Sequence, residues 1–235
     1  FSPLISAATI SLLFLICNQF LDRVDTESKN KVFKMYASSI ASLTFAFTHS
    51  HWFNAVETEV YAFSGFLTAL VVYLTMKWSK EHKNSYHLIY LIFISYLIGL
   101  ATGLHLLNLL TIPFIGLVIY FTFKKLNTKN FLITVILSLA TFFGVQNLII
   151  KGIPLIAQNI GVFGLLFFIS VVIAFNIYFI RRKNILSTAI MSSIILIMIG
   201  YSTYFSIFIR SGQNPNIDEN NPETVEEAIS YLNRD

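Results

Sequence analysis

The stretch "THSHWFNAVETEVYAFSG", residues 48–65, holds two histidines, a tryptophan and two glutamates between two apolar runs. Carboxylates at the mouth of a membrane helix are costly to desolvate, so Glu57 and Glu59 are candidates for acid–base or substrate-positioning chemistry. On one helix the pair would stand about 200° apart, at 100° per residue. Glu57 would then align with Tyr61 and Ser64, and Glu59 with Ala55, Ala62 and Phe63. The plainer reading is a helix-start acid favoured by the macrodipole, with Trp52 and Tyr61 in an interfacial aromatic belt. His49 and His51 could join the glutamates on a metal, but their spacing matches no zinc signature, and no metal site is expected. In "GLATGLHLLNLL", His105 and Asn108 are three apart and are expected on one helical face. Arg210 ends the last apolar run, where a guanidinium fork suits a phosphate or snorkels to the interface. Behind it Asn214, Pro215 and Asp218 belong to a turn-rich loop. A helix capped by Asn220 or Asn221 is expected next, with Pro222 and Glu223 in its first turn. "DENN" lacks the calcium-loop spacing.

The elements that must position these residues are membrane helices. The chain of 235 residues is 55 % hydrophobic and only 12 % charged, with 23 phenylalanines. Mean hydropathy is +0.69. Several runs reach the ~20 apolar residues a bilayer requires. The composition therefore predicts an all-α, polytopic transmembrane bundle. Eight spans are expected near 1–20, 32–48, 55–76, 87–103, 104–123, 131–150, 160–180 and 185–209. The stretch 87–123 is divided because 37 residues exceed one span and Gly99, Gly103 and Pro113 allow a turn.

Charge supports the count. With Phe1 on the non-cytoplasmic side, the loops 21–34, 77–84, 124–130 and 181–184 carry 13 of the 16 basic residues, leaving Lys151, Arg210 and Arg234. Glu57, Glu59, His105, Asn108, the "KGIPLIAQN" loop and the tail then face outside together. The net charge of +4 thus sets topology, and no nucleic-acid partner is expected. A lone Cys17 excludes an internal disulfide and reads as a packing residue. No inverted repeat is visible. Residues 1–210 are read as the bundle and 211–235 as the start of a periplasmic region. The chain starts inside an apolar run without methionine and stops within an amphipathic stretch, and so reads as a segment of a longer protein.

Three stretches carry a resemblance: "HWFNAVETEVYAFSGFLTALVVYLTMKW", "YLIGLATGLHLLNLLTIPFI" and "IGYSTYFSIFIRSGQNPNIDENNPETVEEAISYLNRD". In order and interval they resemble a bacterial family of multi-pass membrane proteins common in Bacteroidota. That family is related to a vertebrate transmembrane O-mannosyltransferase acting on plexin-type domains and belongs to the GT-C glycosyltransferases. Its first motif falls on Trp52, Phe53, Ala55, Val56, Glu57, Glu59, Val60, Tyr61 and Ala62, with Asn54 where relatives often have serine. Its second falls on Gly103, His105 and Asn108 with the intervening and following leucines; its third runs from Ile209 to Pro222.

The resemblance implies transfer of a sugar, mannose by the family's habit, from a polyprenyl-phosphate donor to a serine or threonine of an exported protein. The setting would be a bacterial inner membrane, the active face toward the periplasm. No cofactor is expected beyond this donor, and nothing in the residues decides for or against a divalent metal. The family's principal acidic residue lies in an early outer loop that this chain lacks, so it is expected upstream of Phe1. Glu57 and Glu59 are expected to shape the acceptor and sugar pocket, with Trp52, Tyr61, His105, Asn108, Arg210, Asn214 and Asp218 binding substrate. The rival readings are a transporter or flippase for a lipid-linked or anionic substrate, and a non-catalytic scaffold subunit.

Overall fold

A computed structural model describes residues 1–24, 30–57, 60–84, 86–218, 221–224, 226, 227, 229 and 230. Among these residues every regular element is helical, and no strand is present. The order is α1 (Ser2–Val24), α2 (Lys31–Ala46), α3 (His49–Val56), α4 (Tyr61–Glu81), α5 (His87–Leu104), a 3-10 turn (Leu106–Leu110), α6 (Thr111–Phe123) and α7 (Thr128–Gly144). A π-helical turn (Val145–Ile150) leads to α8 (Gly152–Arg181), then α9 (Ile185–Tyr201), a 3-10 turn (Ser202–Phe205) and α10 (Ser206–Ser211).

The basic loops start helices in a repeated way. Asn30, Asn127 and Asn184 each accept, through the side-chain oxygen, the backbone N–H three residues on, at 3.1, 3.2 and 3.0 Å. Each satisfies an orphan donor at the start of α2, α7 or α9. At the same end Arg23 donates to the Met76 carbonyl at 2.9 Å, and Asp22 pairs with Lys34 at 3.2 Å and Lys80 at 3.7 Å. These contacts tie α1, α2 and α4 together where the positive charge collects.

Helix α5 lies at the centre, packed on α4 and most extensively on α9. Ile94, Leu97, Ile98 and Ala101 of α5 are buried with Leu67, Val71, Ile197 and Tyr201. The α5–α9 crossing is close because glycines form it. A Cβ at Gly99 would fall on the Ile197 carbonyl, and one at Gly200 on the backbone of Tyr96 and Leu100. Membrane helices gain little from apolar burial against one another, so such backbone approach supplies the attraction. The outer surface is correspondingly apolar, with Phe163 87 % and Phe167 72 % exposed.

Among the described residues five helical stretches are long and apolar enough to cross a membrane, or six when α3 and α4 are taken as one bent pair. The expected count of eight is reorganised in four places. Helix α2 has 16 residues, about 24 Å at 1.5 Å per residue, short of a ~30 Å hydrocarbon core. The expected third span, 55–76, does not start at residue 55: α3 ends at Val56, Glu57 is extended, and α4 begins at Tyr61 with its axis turned 118° from α3. The "KGIPLIAQN" loop is helical, because Pro154 falls in the first turn of α8, where its missing N–H costs nothing. The break comes instead at Gly161, whose φ of 75° and ψ of −176° only glycine adopts readily. It divides the 54-residue stretch from Thr128 to Arg181, far too long for one crossing. Finally, the last span tightens to a 3-10 turn after Tyr201.

Candidate functional site

Antiparallel connections bring the start of α4, the end of α5, the 3-10 turn after it and the segment beyond α9 to one end of the bundle, opposite the basic loops. Asn108 organises that end. It is 3 % exposed, and its Nδ2 lies within 2.9 Å of Ser64 Oγ and 2.8 Å of the Ala101 and His105 carbonyls. Its Oδ1 accepts from Thr68 Oγ1. The two N–H hydrogens are committed to these three acceptors, while Oδ1 has used one of its two lone pairs. Asn108 therefore holds α4, α5 and the 3-10 turn in register.

The expected shared helical face of His105 and Asn108 is not formed. His105 has φ −155° and ψ 124°, so α5 stops and the chain turns there. Asn108 instead grips the His105 main chain. The freed imidazole turns toward Tyr61, with ring centroids 5.8 Å apart and planes at 51°. His105 Nδ1 accepts the Leu107 N–H at 3.3 Å, which leaves the hydrogen of the neutral ring on Nε2. Tyr61, Ser64 and Thr68 follow at helical spacing along one face of α4. Tyr61, His105 and Asn108 are thus brought together, with Ser64 and Thr68. Thr68 was missed, though its position four after Ser64 extends the same stripe.

Glu57 is half-buried at the end of α3, its N–H donating to the Phe53 carbonyl at 3.1 Å. Its extended backbone removes the expected alignment with Tyr61 and Ser64 on one helix. Glu59 lies outside the described residues. Trp52 is exposed and stacks on Phe47 at 6.1 Å, while His49 stacks on Phe53 and His51 meets Phe45 at 4.9 Å. Among the described residues no three His, Cys, Asp or Glu side chains form a metal cluster.

The segment that leads to the third expected group packs on the second. Gly103 lies against Thr203 and Tyr204, so the 3-10 turn that carries the chain toward Arg210 packs on the end of α5. Arg210 is exposed in the last turn of α10. Beyond it Asp218 accepts from Ser211 Oγ at 2.7 Å, and Ser211 is only 1 % exposed. Asn214, at φ 50°, donates its N–H to the Ser211 carbonyl at 2.9 Å. Asp218 and Asn214 thereby close the loop 211–218 on itself. The expected cap at Asn221 is displaced: Thr224 Oγ1 accepts the Glu227 N–H at 3.2 Å, and Glu227 Oε2 accepts the Thr224 N–H at 2.7 Å. This reciprocal pair is the Thr-x-x-Glu capping box that the sequence "TVEE" spells. Asn220, the alternative cap, lies outside the described residues.

Residues 1–130 match the family model described as the protein O-mannosyl-transferase TMEM260 N-terminal domain. The match takes in α1 to α6, and so Glu57, Tyr61, His105 and Asn108, but ends well before Arg210. No curated protein and no solved structure matches the chain. With more than half of its length matched, and with an all-helical bundle of membrane-spanning helices, the chain belongs to the protein O-mannosyl-transferase TMEM260 N-terminal domain family.

Proposed function

We propose that this chain is part of a GT-C glycosyltransferase that moves a sugar, mannose by the family's description, from a polyprenyl-phosphate donor to a serine or threonine of an exported protein. The observation that carries the lipid-linked donor is a cavity of about 700 Å³ enclosed by α5, α6, α7 with its π turn, α8 and α9. Its lining is almost wholly aliphatic. Along α9 it runs from Leu186 to Met198, roughly 18 Å of helix rise. Ile112 at its outer end is four residues beyond Asn108, whose side chain holds the main chain of His105. An isoprenoid chain held there would present its phosphate and sugar beside the polar groups of that end.

In the transfer, the acceptor oxygen forms a bond to the sugar's anomeric carbon while the carbon–oxygen bond to the donor phosphate breaks. The hydroxyl proton passes to a base, and the polyprenyl phosphate leaves with the electron pair. Glu57, and Glu59 after it, supply carboxylates for positioning the acceptor and sugar. The exposed Arg210 guanidinium and the His105 Nε2–H are the donors suited to the leaving phosphate. The reaction faces the periplasm across a bacterial inner membrane.

The deciding experiment incubates the full-length protein, in vesicles, with polyprenyl-phosphate [14C]mannose and an exported acceptor protein. Label on serine or threonine of the acceptor supports the transferase. Donor that crosses the bilayer unconsumed supports a flippase and overturns the proposal.

A further inference from the structure

Helix α3 is oriented against the usual rule for an amphipathic helix beside water. Its half-buried stripe is His51, Asn54 and Ala55, at helical spacing, while Trp52 is 58 %, Phe53 50 % and Val56 65 % exposed. The inward groups have partners: His51 hydrogen-bonds the Ser6 backbone and rests on the Phe45 ring. The outward groups extend one another, since Phe47, 73 % exposed, stacks on Trp52. Beside an aqueous phase the apolar face turns inward. The opposite arrangement fits a helix whose surroundings are less polar than the bundle end it covers.

Position makes those surroundings specific. Helix α3 joins the end of α2 to the start of α4, and its axis is turned 118° from that of α4. A short helix so placed between two longer helices of a membrane bundle runs along the bilayer surface, where aromatic rings favour the boundary of headgroups and acyl chains. We propose that α3 is an in-plane interfacial helix. Its Phe47–Trp52–Phe53–Val56 face lies in the headgroup–acyl boundary of the outer leaflet and anchors Glu57 at the membrane surface. The partner is the lipid surface itself, and the inference stands whether or not the chain transfers sugar.

The two tryptophans allow a direct test, because Trp78 is 1 % exposed at the opposite end of the bundle. The whole chain is reconstituted in phosphatidylcholine vesicles whose acyl chains carry bromine near the glycerol or near the chain ends, and iodide is added from the water. The Trp52 signal is the difference between wild type and Trp52→Phe, an exposed aromatic exchange. It should lose about half or more of its intensity to shallow bromine and far less to deep bromine or iodide. Dominant iodide quenching would place the face in water, and dominant deep quenching would make α3 a penetrating segment. Absence of all quenching would mean a protein covers it. Each of these three overturns the proposal. Trp78→Phe, which leaves Trp52 alone, repeats the measurement without subtraction.

Discussion

Among the described residues Asn108 makes four side-chain hydrogen bonds at its end of the bundle, and the consequence is testable. Asn108→Ala strips a partner from Ser64, Thr68 and two main-chain carbonyls in a buried place. A loss of about 1–3 kcal/mol follows from unsatisfied buried groups. Thermal unfolding of the detergent-solubilised protein should show it. Arg210 contrasts with Asn108, being exposed and outside the packed core. Arg210→Ala should leave the unfolding temperature unchanged while weakening binding of a polyprenyl-phosphate sugar, read by native mass spectrometry. Unchanged donor affinity would remove Arg210 from the phosphate site. The types and spacing of Tyr61, Ser64, His105 and Asn108 were legible as a polar group at one membrane face. That the Asn108 amide bridges to α4 was not legible, because those two partners, Thr68 and Ser64, lie 40 and 44 positions away.

Asparagine caps begin α2, α7 and α9, a capping box begins the last turn of chain, and glycines join α5 to α9. The capping box at Thr224 and Glu227 holds the Glu227 carboxyl below the usual carboxylate range, first through the hydrogen bond from the Thr224 backbone. A depressed folded pKa contributes stability that is complete above the unfolded value, near 4.5, and lost as pH falls through the folded one. The protection of the Glu223 and Thr224 amides relative to their intrinsic exchange rates, which rests on their bonds to this carboxylate, should therefore fall in acid and stay constant between neutral and mildly basic pH. The glycines predict a sharper contrast. Gly99→Leu or Gly200→Leu drives atoms into the opposite backbone, and a loss of about 1–3 kcal/mol or more is expected from overpacking. Gly65→Ala meets nothing within 4 Å and should be neutral or slightly stabilising in a thermal melt, since alanine suits a helix interior better.

For the whole molecule the sequence-level test is charge asymmetry, and the structure gives it a spatial form. The Asp22 pairs and the three asparagine caps lie at one end; His105, Tyr61 and the approach to Arg210 lie at the other. Asn214→Cys should react with a membrane-impermeant thiol reagent applied from the periplasm, and Lys125→Cys should not, read by gel shift in intact cells. The reverse pattern would invert the proposed orientation.

Composition and hydropathy were enough to determine an all-helical membrane bundle, because a bilayer leaves backbone polar groups no other way to be satisfied. Span length, with Gly99, Gly103 and Pro113 as places to turn, also placed the break near His105. Only the tertiary structure decided how the polar groups meet. It broke the helix at Glu57, turned His105 toward Tyr61, continued α8 through the expected loop, and faced the aromatic side of α3 outward. The start of α8 is a local allowance for Pro154, but the turn of His105 and the outward face of α3 depend on which distant groups a side chain reaches and which side of a helix its neighbours leave open.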